Sequence, residues 1–309
     1  MILNTGQRTD IPAFYSEWFC NRLREKHVLV RNPYNVSQLI RYRISPDVVD
    51  AICFCTKNPA PILAHMKLLA PFGQLWFVTI TPYGKSIEPN VPDKTEIIES
   101  FKALSKIVGA ARIVWRYDPI IIFGKYTVAQ HMQSFEKMCR ALSGFTKTCV
   151  ISFIDLYPKV CRNFPDVQEV AANDRRALGK SCAEIGASYG IQIKACAEGN
   201  DLAQFGIDCT GCMTKAVYEA VLGCSLNIPE KNYARKECNC YLSADIGAYN
   251  TCAHFCRYCY ANYDRQTVLN NMQRHNPRSP LLIGNVQHGD IIQDAVQTSF
   301  KNGQAMLHL

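Results

Sequence analysis

Residues 49–69 read VDAICFCTKNPAPILAHMKLL, an apolar run of strand length followed by a stretch that opens on prolines and continues as a helix. The run AICFC shows no polar alternation, which suits a strand covered on both faces. The same rhythm recurs on either side. Met1–Thr5 makes a short opening strand. Asp10 stands before Ile-Pro-Ala as an N-cap with proline in the first turn, and a helix follows to about Glu25. Val49–Thr56 is then a strand and Pro59–Leu69 its helix; Leu75–Thr81 pairs in the same way with Lys94–Val108, and Arg112–Tyr117 with Val128–Leu142. Val150–Asp155, a helix over Asp166–Tyr189, and Gln192–Cys196 complete the series. Strands alternating with helices predict an α/β fold with a parallel sheet, as a full or partial (β/α) barrel. An open doubly wound sheet is the rival, although no Gly-x-Gly-x-x-Gly follows a strand to support its dinucleotide-binding form.

The chain has 309 residues, 48% apolar and 19% charged, which is enough for one large globular domain. Residues 1–200 are expected to supply barrel strands and helices. The cysteine-rich region 201–309 would complete the same domain. No apolar run approaches the roughly 20 residues a membrane-spanning helix needs, and MILNTGQRTD has no signal-peptide pattern. The expectation is a cytoplasmic protein with no membrane partner. Sixteen cysteines are unusual there, and in a reducing compartment they suggest metal binding before disulfides. The formal charge of +8 leaves nucleic acid open as a partner. Cluster thiolates would lower that charge to roughly +5.

Ligands of parallel α/β sheets gather at the C-terminal ends of the strands. Here those ends are polar: Arg8 and Asp10, Thr56-Lys57-Asn58, Thr79 and Thr81, Arg116-Tyr117-Asp118, Asp155, and Glu198. Asp10 and Asp118 each precede a proline closely and also suit caps or turns.

Residues 249–262 read YNTCAHFCRYCYAN, so Cys252, Cys256 and Cys259 are spaced Cys-x-x-x-Cys-x-x-Cys. Such a loop can wrap three corners of a [4Fe-4S] cluster and leave the fourth iron without a protein ligand. An open iron can chelate the amino and carboxylate groups of S-adenosylmethionine and reduce it to a 5'-deoxyadenosyl radical. Three alternatives compete: a zinc site with His254 as a ligand, a four-cysteine electron-transfer cluster, and inert buried thiols.

The run SADIGAYNTCAHFCRYCYAN at 243–262 resembles the C-terminal signature of the family catalogued as domain of unknown function 1848. RTDIPAFYSEWF at 8–19, CTKNPAP at 55–61, WRYDPI at 115–120, SFIDLYPK at 152–159 and CNC at 238–240 extend the resemblance over most of the chain. That family is similar to the spore photoproduct lyase branch of the radical S-adenosylmethionine proteins. The resemblance implies a radical enzyme acting on an unidentified substrate, served by an electron donor such as flavodoxin or ferredoxin. It also implies that Tyr258, the aromatic before the last cysteine, packs near the adenine. In such enzymes the cysteine loop follows the first barrel strand, whereas here it lies near the C-terminus. A circularly permuted barrel is therefore expected, with Tyr241–Gly247 beside Met1–Thr5. Arg116, Asp118 and Lys57 are the catalytic candidates. Asn58, Thr79, Arg8 and Glu198 join Tyr258 as cofactor-binding candidates.

Cys196, Cys212, Cys238 and Cys240 are expected to form a second metal site, with Cys209 in reserve. An auxiliary [4Fe-4S] cluster is the first expectation, and a structural zinc the rival. Cys20, Cys53, Cys55, Cys139, Cys149, Cys161, Cys182 and Cys224 read as small buried hydrophobes, although Cys53 and Cys55 share one strand face with Lys57 and can point inward. The alternatives to a radical enzyme are an iron–sulfur or zinc nucleic-acid-binding protein and a two-cluster electron-transfer protein.

Overall fold

The AICFCT run forms an inner strand of a seven-stranded sheet in which all six neighbouring pairs run parallel. The computed structural model describes residues 1–229, 238, 240–241 and 244–305, without the side chains of 303–305. In chain order its strands are β1 (Ile2–Asn4), β2 (His27–Arg31), β3 (Gln38–Arg43), β4 (Ala51–Thr56), β5 (Gly73–Thr79), β6 (Ile113–Ile120), β7 (Thr148–Phe153), β8 (Gln192–Ala195), β9 (Cys224–Leu226), β10 (Ala244–Asp245), β11 (Ile291–Asp294) and β12 (Lys301–Ala305). The main sheet has the order β10-β1-β4-β5-β6-β7-β8. Leu3 is in register with Ala244 on one side and Ile52 on the other. Of the strand expected over Tyr241–Gly247, Ala244–Asp245 is formed and lies beside the opening strand. Its residues 242–243 fall outside the described part.

The sheet is open. β8 and β10 occupy its two edges, and no ladder joins them into a closed barrel among the described residues. The helices are α1 (Ile11–Phe14), α2 (Ser16–Glu25), α3 (Met66–Leu69), α4 (Lys94–Val108), α5 (Val128–Leu142), α6 (Pro158–Asn163), α7 (Ala172–Ser188), α8 (Lys215–Leu222) and α9 (Arg265–Gln273). Successive strand residues point to opposite faces, and the two faces have different partners. Ile52, Phe54, Trp76, Trp115 and Ile151 pack with Trp18, Phe101, Phe135 and Leu178 from α2, α4, α5 and α7. Cys53, Phe77, Val114 and Val150 pack with Tyr218 and Val221 of α8 and with Cys196, Cys212 and Cys240. One face therefore carries the long helices, while the other carries a short helix and a nest of thiols.

Two expectations change in detail. The helix from Asp10 breaks at Tyr15 into α1 and α2, with Asp10 capping the first through Oδ1 and the Ala13 N–H at 3.0 Å. Pro59–Leu69 is a 3-10 turn over Ala60–His65 that relaxes into α3. β2, β3 and β11 form a separate small sheet that the strand–helix rhythm did not announce. No helix among the described residues is long and apolar enough to cross a membrane.

Candidate metal and cofactor site

A cavity of about 460 Å³ opens at the C-terminal ends of the central strands. Its wall includes Cys252, Cys256 and Cys259 from the loop after β10, and Cys196, Cys212, Cys238 and Cys240 from the second group. The two cysteine sets read separately along the chain thus meet in one space. Of the polar candidates, Lys57, Thr79, Arg116, Asp118 and Tyr258 line it, together with Cys55, Asp10 and His254.

The cysteine loop is tied down at several points. Tyr15 donates its hydroxyl to the Thr251 carbonyl at 2.6 Å, Asn262 its amide to the Cys252 carbonyl at 2.8 Å, and Asn90 its amide to the Ala253 carbonyl at 2.8 Å. The Ala261 N–H points to Cys259 Sγ at 3.4 Å. Asn250 and Phe255 adopt left-handed backbone conformations, φ +59° and +54°, which turn the chain tightly enough to bring three thiols to one side. Burial pushes the Cys256 thiol up to about 12 and raises Cys252 and Cys259 as well. Thiols so disfavoured as free thiolates are stabilised as anions by a metal that displaces their protons.

Behind the loop lies a buried carboxylate the sequence did not single out. Glu88 accepts from Lys57 Nζ at 2.8 Å, from the Thr81 hydroxyl at 2.7 Å, and from Lys94 and the Tyr258 hydroxyl. Burial alone would raise its pKa, but the Lys57 and Lys94 ammonium groups outweigh that and hold the carboxyl at about 2. The same ion pair keeps Lys57 charged against its own desolvation, and its ammonium lies 5.4 Å from the Tyr258 ring centre. Glu88 comes from the segment between β5 and α4, where a polar turn carries no motif to mark it.

The remaining candidates divide. Arg116 pairs with Asp118 at 2.6 Å, and Asp118 also accepts from Ser152. Arg8 is held by Asp245 of β10 at 2.9 Å, so it braces the strand that launches the loop. Asn58 lies outside the cavity lining and accepts from the Ala60 N–H at 3.1 Å, as a turn cap does. Glu198 also lies outside it, accepting from the Phe153 N–H at 2.8 Å and pairing with Arg175 at 2.6 Å. Burial raises its carboxyl to about 7 despite these partners. Cys209 is not part of the cavity lining and points to the Ile207 carbonyl. Cys161 is exposed and Cys224 partly so, contrary to the expectation of burial.

The site also passes a test of fit to a ligand. Gln7 Nε2, Thr9 Oγ1, Arg116 Nε and His254 Nδ1 are buried atoms of cavity-lining residues and have no hydrogen-bond partner among the described residues. Unpartnered buried polar atoms are costly unless something satisfies them. Their residues share the cavity wall with the thiols of both cysteine sets, and this mixture of polar groups and sulfur is of a kind that could receive a polar cofactor.

The protein is thus an α/β protein with a parallel sheet and a thiol-walled cavity at its carboxyl ends, where Cys196, Cys212 and Cys240 are grouped closely enough that they could hold a metal ion. The chain belongs to the family described as Domain of unknown function (DUF1848), whose model matches residues 2–261. No curated protein matches it.

Proposed function

We propose that the chain is a radical S-adenosylmethionine enzyme, with Cys252, Cys256 and Cys259 holding its [4Fe-4S] cluster. The observation that carries this reading is that three thiols of one short loop open on a cavity of about 460 Å³ shared with Lys57, Thr79, Arg116 and Asp118. Such a cluster, when bound, supplies an open iron for the amino and carboxylate groups of S-adenosylmethionine and the electron that cleaves it to a 5'-deoxyadenosyl radical. The chain's own residues position and enclose. Glu88 holds Tyr258 and Lys57 in place against the loop. The Arg116–Asp118 pair sets a cation and an anion at the strand ends, suited to a zwitterionic ligand. In this reading β10 takes the first-strand position and β1, β4, β5, β6, β7 and β8 follow it, as a circularly permuted, partly open barrel. A flavodoxin or ferredoxin would supply the electron.

The test is anaerobic incubation of reconstituted, dithionite-reduced protein with S-adenosylmethionine. 5'-Deoxyadenosine is expected from the unaltered chain and not from Cys256→Ala. Its absence with the loop cluster intact overturns the reading.

The substrate class has one pointer. Tyr263 and Tyr260 are about half exposed near the loop, and cations lie over neighbouring rings: Arg162 is 4.1 Å from the Tyr263 centre and Lys159 4.9 Å from that of Tyr249. Aromatic faces interleaved with cations suit single-stranded nucleic acid, whose bases stack while its phosphates pair.

A further inference from the structure

We propose that Cys196, Cys212, Cys238 and Cys240 bind one tetrahedral metal ion of the zinc class, in place of a second iron–sulfur cluster. The separations of the sulfurs carry the argument. Cys212 Sγ lies 3.6 Å from Cys196 Sγ and 3.4 Å from Cys240 Sγ, and all three sulfurs fall within 4.8 Å of one another. Four thiolates about 2.3 Å from a single ion stand on a tetrahedron whose edge is about 3.8 Å. A cubane cluster spreads its ligands farther, because each thiolate sits outward of a different iron. Among the described residues no other group of three or more His, Cys, Asp or Glu ligand atoms is gathered within that radius, so the loop thiols of Cys252, Cys256 and Cys259 are set wider. The two sets therefore differ in the way that one ion and one cluster differ.

Cys238 is the fourth ligand of this proposal, although its sulfur stands outside the group gathered within 4.8 Å and closes in when the ion binds. It lines the same wall, and its thiol interacts with that of Cys240. The Met213 N–H points to Cys240 Sγ at 3.3 Å, an orientation that supports a thiolate. Four thiolates on a divalent ion leave a net charge of about −2. The Arg116 guanidinium is within electrostatic reach of Cys196 and Cys212, and its buried Nε is unpartnered. On binding, each thiol loses its proton to solvent and no electron is transferred.

The placement gives the ion a task. Cys196 directly follows β8 at one edge of the open sheet, and Cys240 precedes β10 at the other edge. Cys212 leads into α8, which covers the sheet face between them. One ion thus ties together the two edges that no strand pairing joins among the described residues. With four protein ligands it has no open position, so it acts as a clasp.

The experiment uses the full chain carrying Cys252→Ala, Cys256→Ala and Cys259→Ala, purified without added iron and again after iron and sulfide reconstitution. This variant has no loop cluster, so the outcome is independent of radical chemistry. About one zinc per chain is expected, persisting through reconstitution. Replacement by cobalt should give the visible bands of a tetrahedral tetrathiolate, which are read on folded protein and do not depend on a variant of the site. Adding Cys212→Ser and Cys240→Ser should abolish zinc retention. About four irons per chain with cluster absorption, or a folded variant holding no metal under any of these conditions, overturns the proposal.

Discussion

His254 Nε2 lies 2.9 Å from Asp10 Oδ2, although 244 residues separate the two in the chain. The same Oδ2 accepts the Lys57 N–H at 2.7 Å, and Oδ1 caps α1. One carboxylate therefore joins the first helix, the end of β4 and the cysteine loop. It can do so because β1 sits between β10 and β4 in the sheet, which brings the segments after all three strands together.

Asp10→Asn keeps the capping oxygen but replaces Oδ2 with a donor facing the Lys57 N–H. A loss of about 1–3 kcal/mol in stability is expected from the broken buried contacts. Iron retention by the loop should also weaken, since His254 lies between Cys252 and Cys256. Denaturant unfolding together with iron analysis after reconstitution checks both. Unchanged values for the two would mean that the carboxylate is only a helix cap.

Glu88 makes a pH-dependent contribution. Folding lowers its carboxyl pKa from 4.5 to about 2, so between those values the folded chain binds fewer protons than the unfolded one. The stabilisation is complete above about 4.5 and disappears as pH falls toward about 2. A shift of this size is about 3 kcal/mol. Glu88→Gln should cost about 3–5 kcal/mol at neutral pH, because Lys57 and Lys94 are left without their anion. The variant should also lose this part of the acid dependence. Urea unfolding at pH 7 and pH 3 compares the two chains, and parallel pH profiles would remove Glu88 from its role.

Trp76 stacks on Phe54 with ring centres 3.7 Å apart and planes 8° from parallel, in the layer between the sheet and the long helices. Trp76→Ala is expected to destabilise by about 3–5 kcal/mol. Thermal unfolding measures it, and a loss below about 1 kcal/mol would show that the layer repacks around the gap.

The strands were legible because burial on both faces writes unbroken apolar runs, and α4 and α5 occur over the residues expected for them, Lys94–Val108 and Val128–Leu142. That Cys252, Cys256 and Cys259 line one cavity was legible because closely spaced residues of a short loop stay close together in space. Glu88 was not, because its partners come from positions 57, 81, 94 and 258 and only the fold assembles them. Asn58 and Glu198 looked like site residues because strand ends are polar there. Their side chains accept from the Ala60 N–H at the start of the 3-10 turn and from the Phe153 N–H at the end of β7, partners that only the fold reveals. The small sheet of β2, β3 and β11 escaped because β3 alternates buried and exposed residues only briefly, and its partner β11 lies some 250 residues away with every residue exposed.

The rings and cations beside the loop give the substrate reading a measurable form. If Lys159 and Arg162 meet the phosphates of a single strand, affinity should fall as salt rises, with a log–log slope of roughly −0.7 for each phosphate neutralised. Lys159→Ala with Arg162→Ala should then reduce the steepness by about 1.4 and weaken binding across all sequences. Tyr263→Ala should act differently, weakening binding by about 1–3 kcal/mol through lost stacking while leaving the slope nearly unchanged. Fluorescence anisotropy with a labelled oligonucleotide at several salt concentrations separates these effects. If no binding occurs even at low salt, the cations over Tyr249 and Tyr263 only brace their own rings, and the cavity takes a small molecule instead.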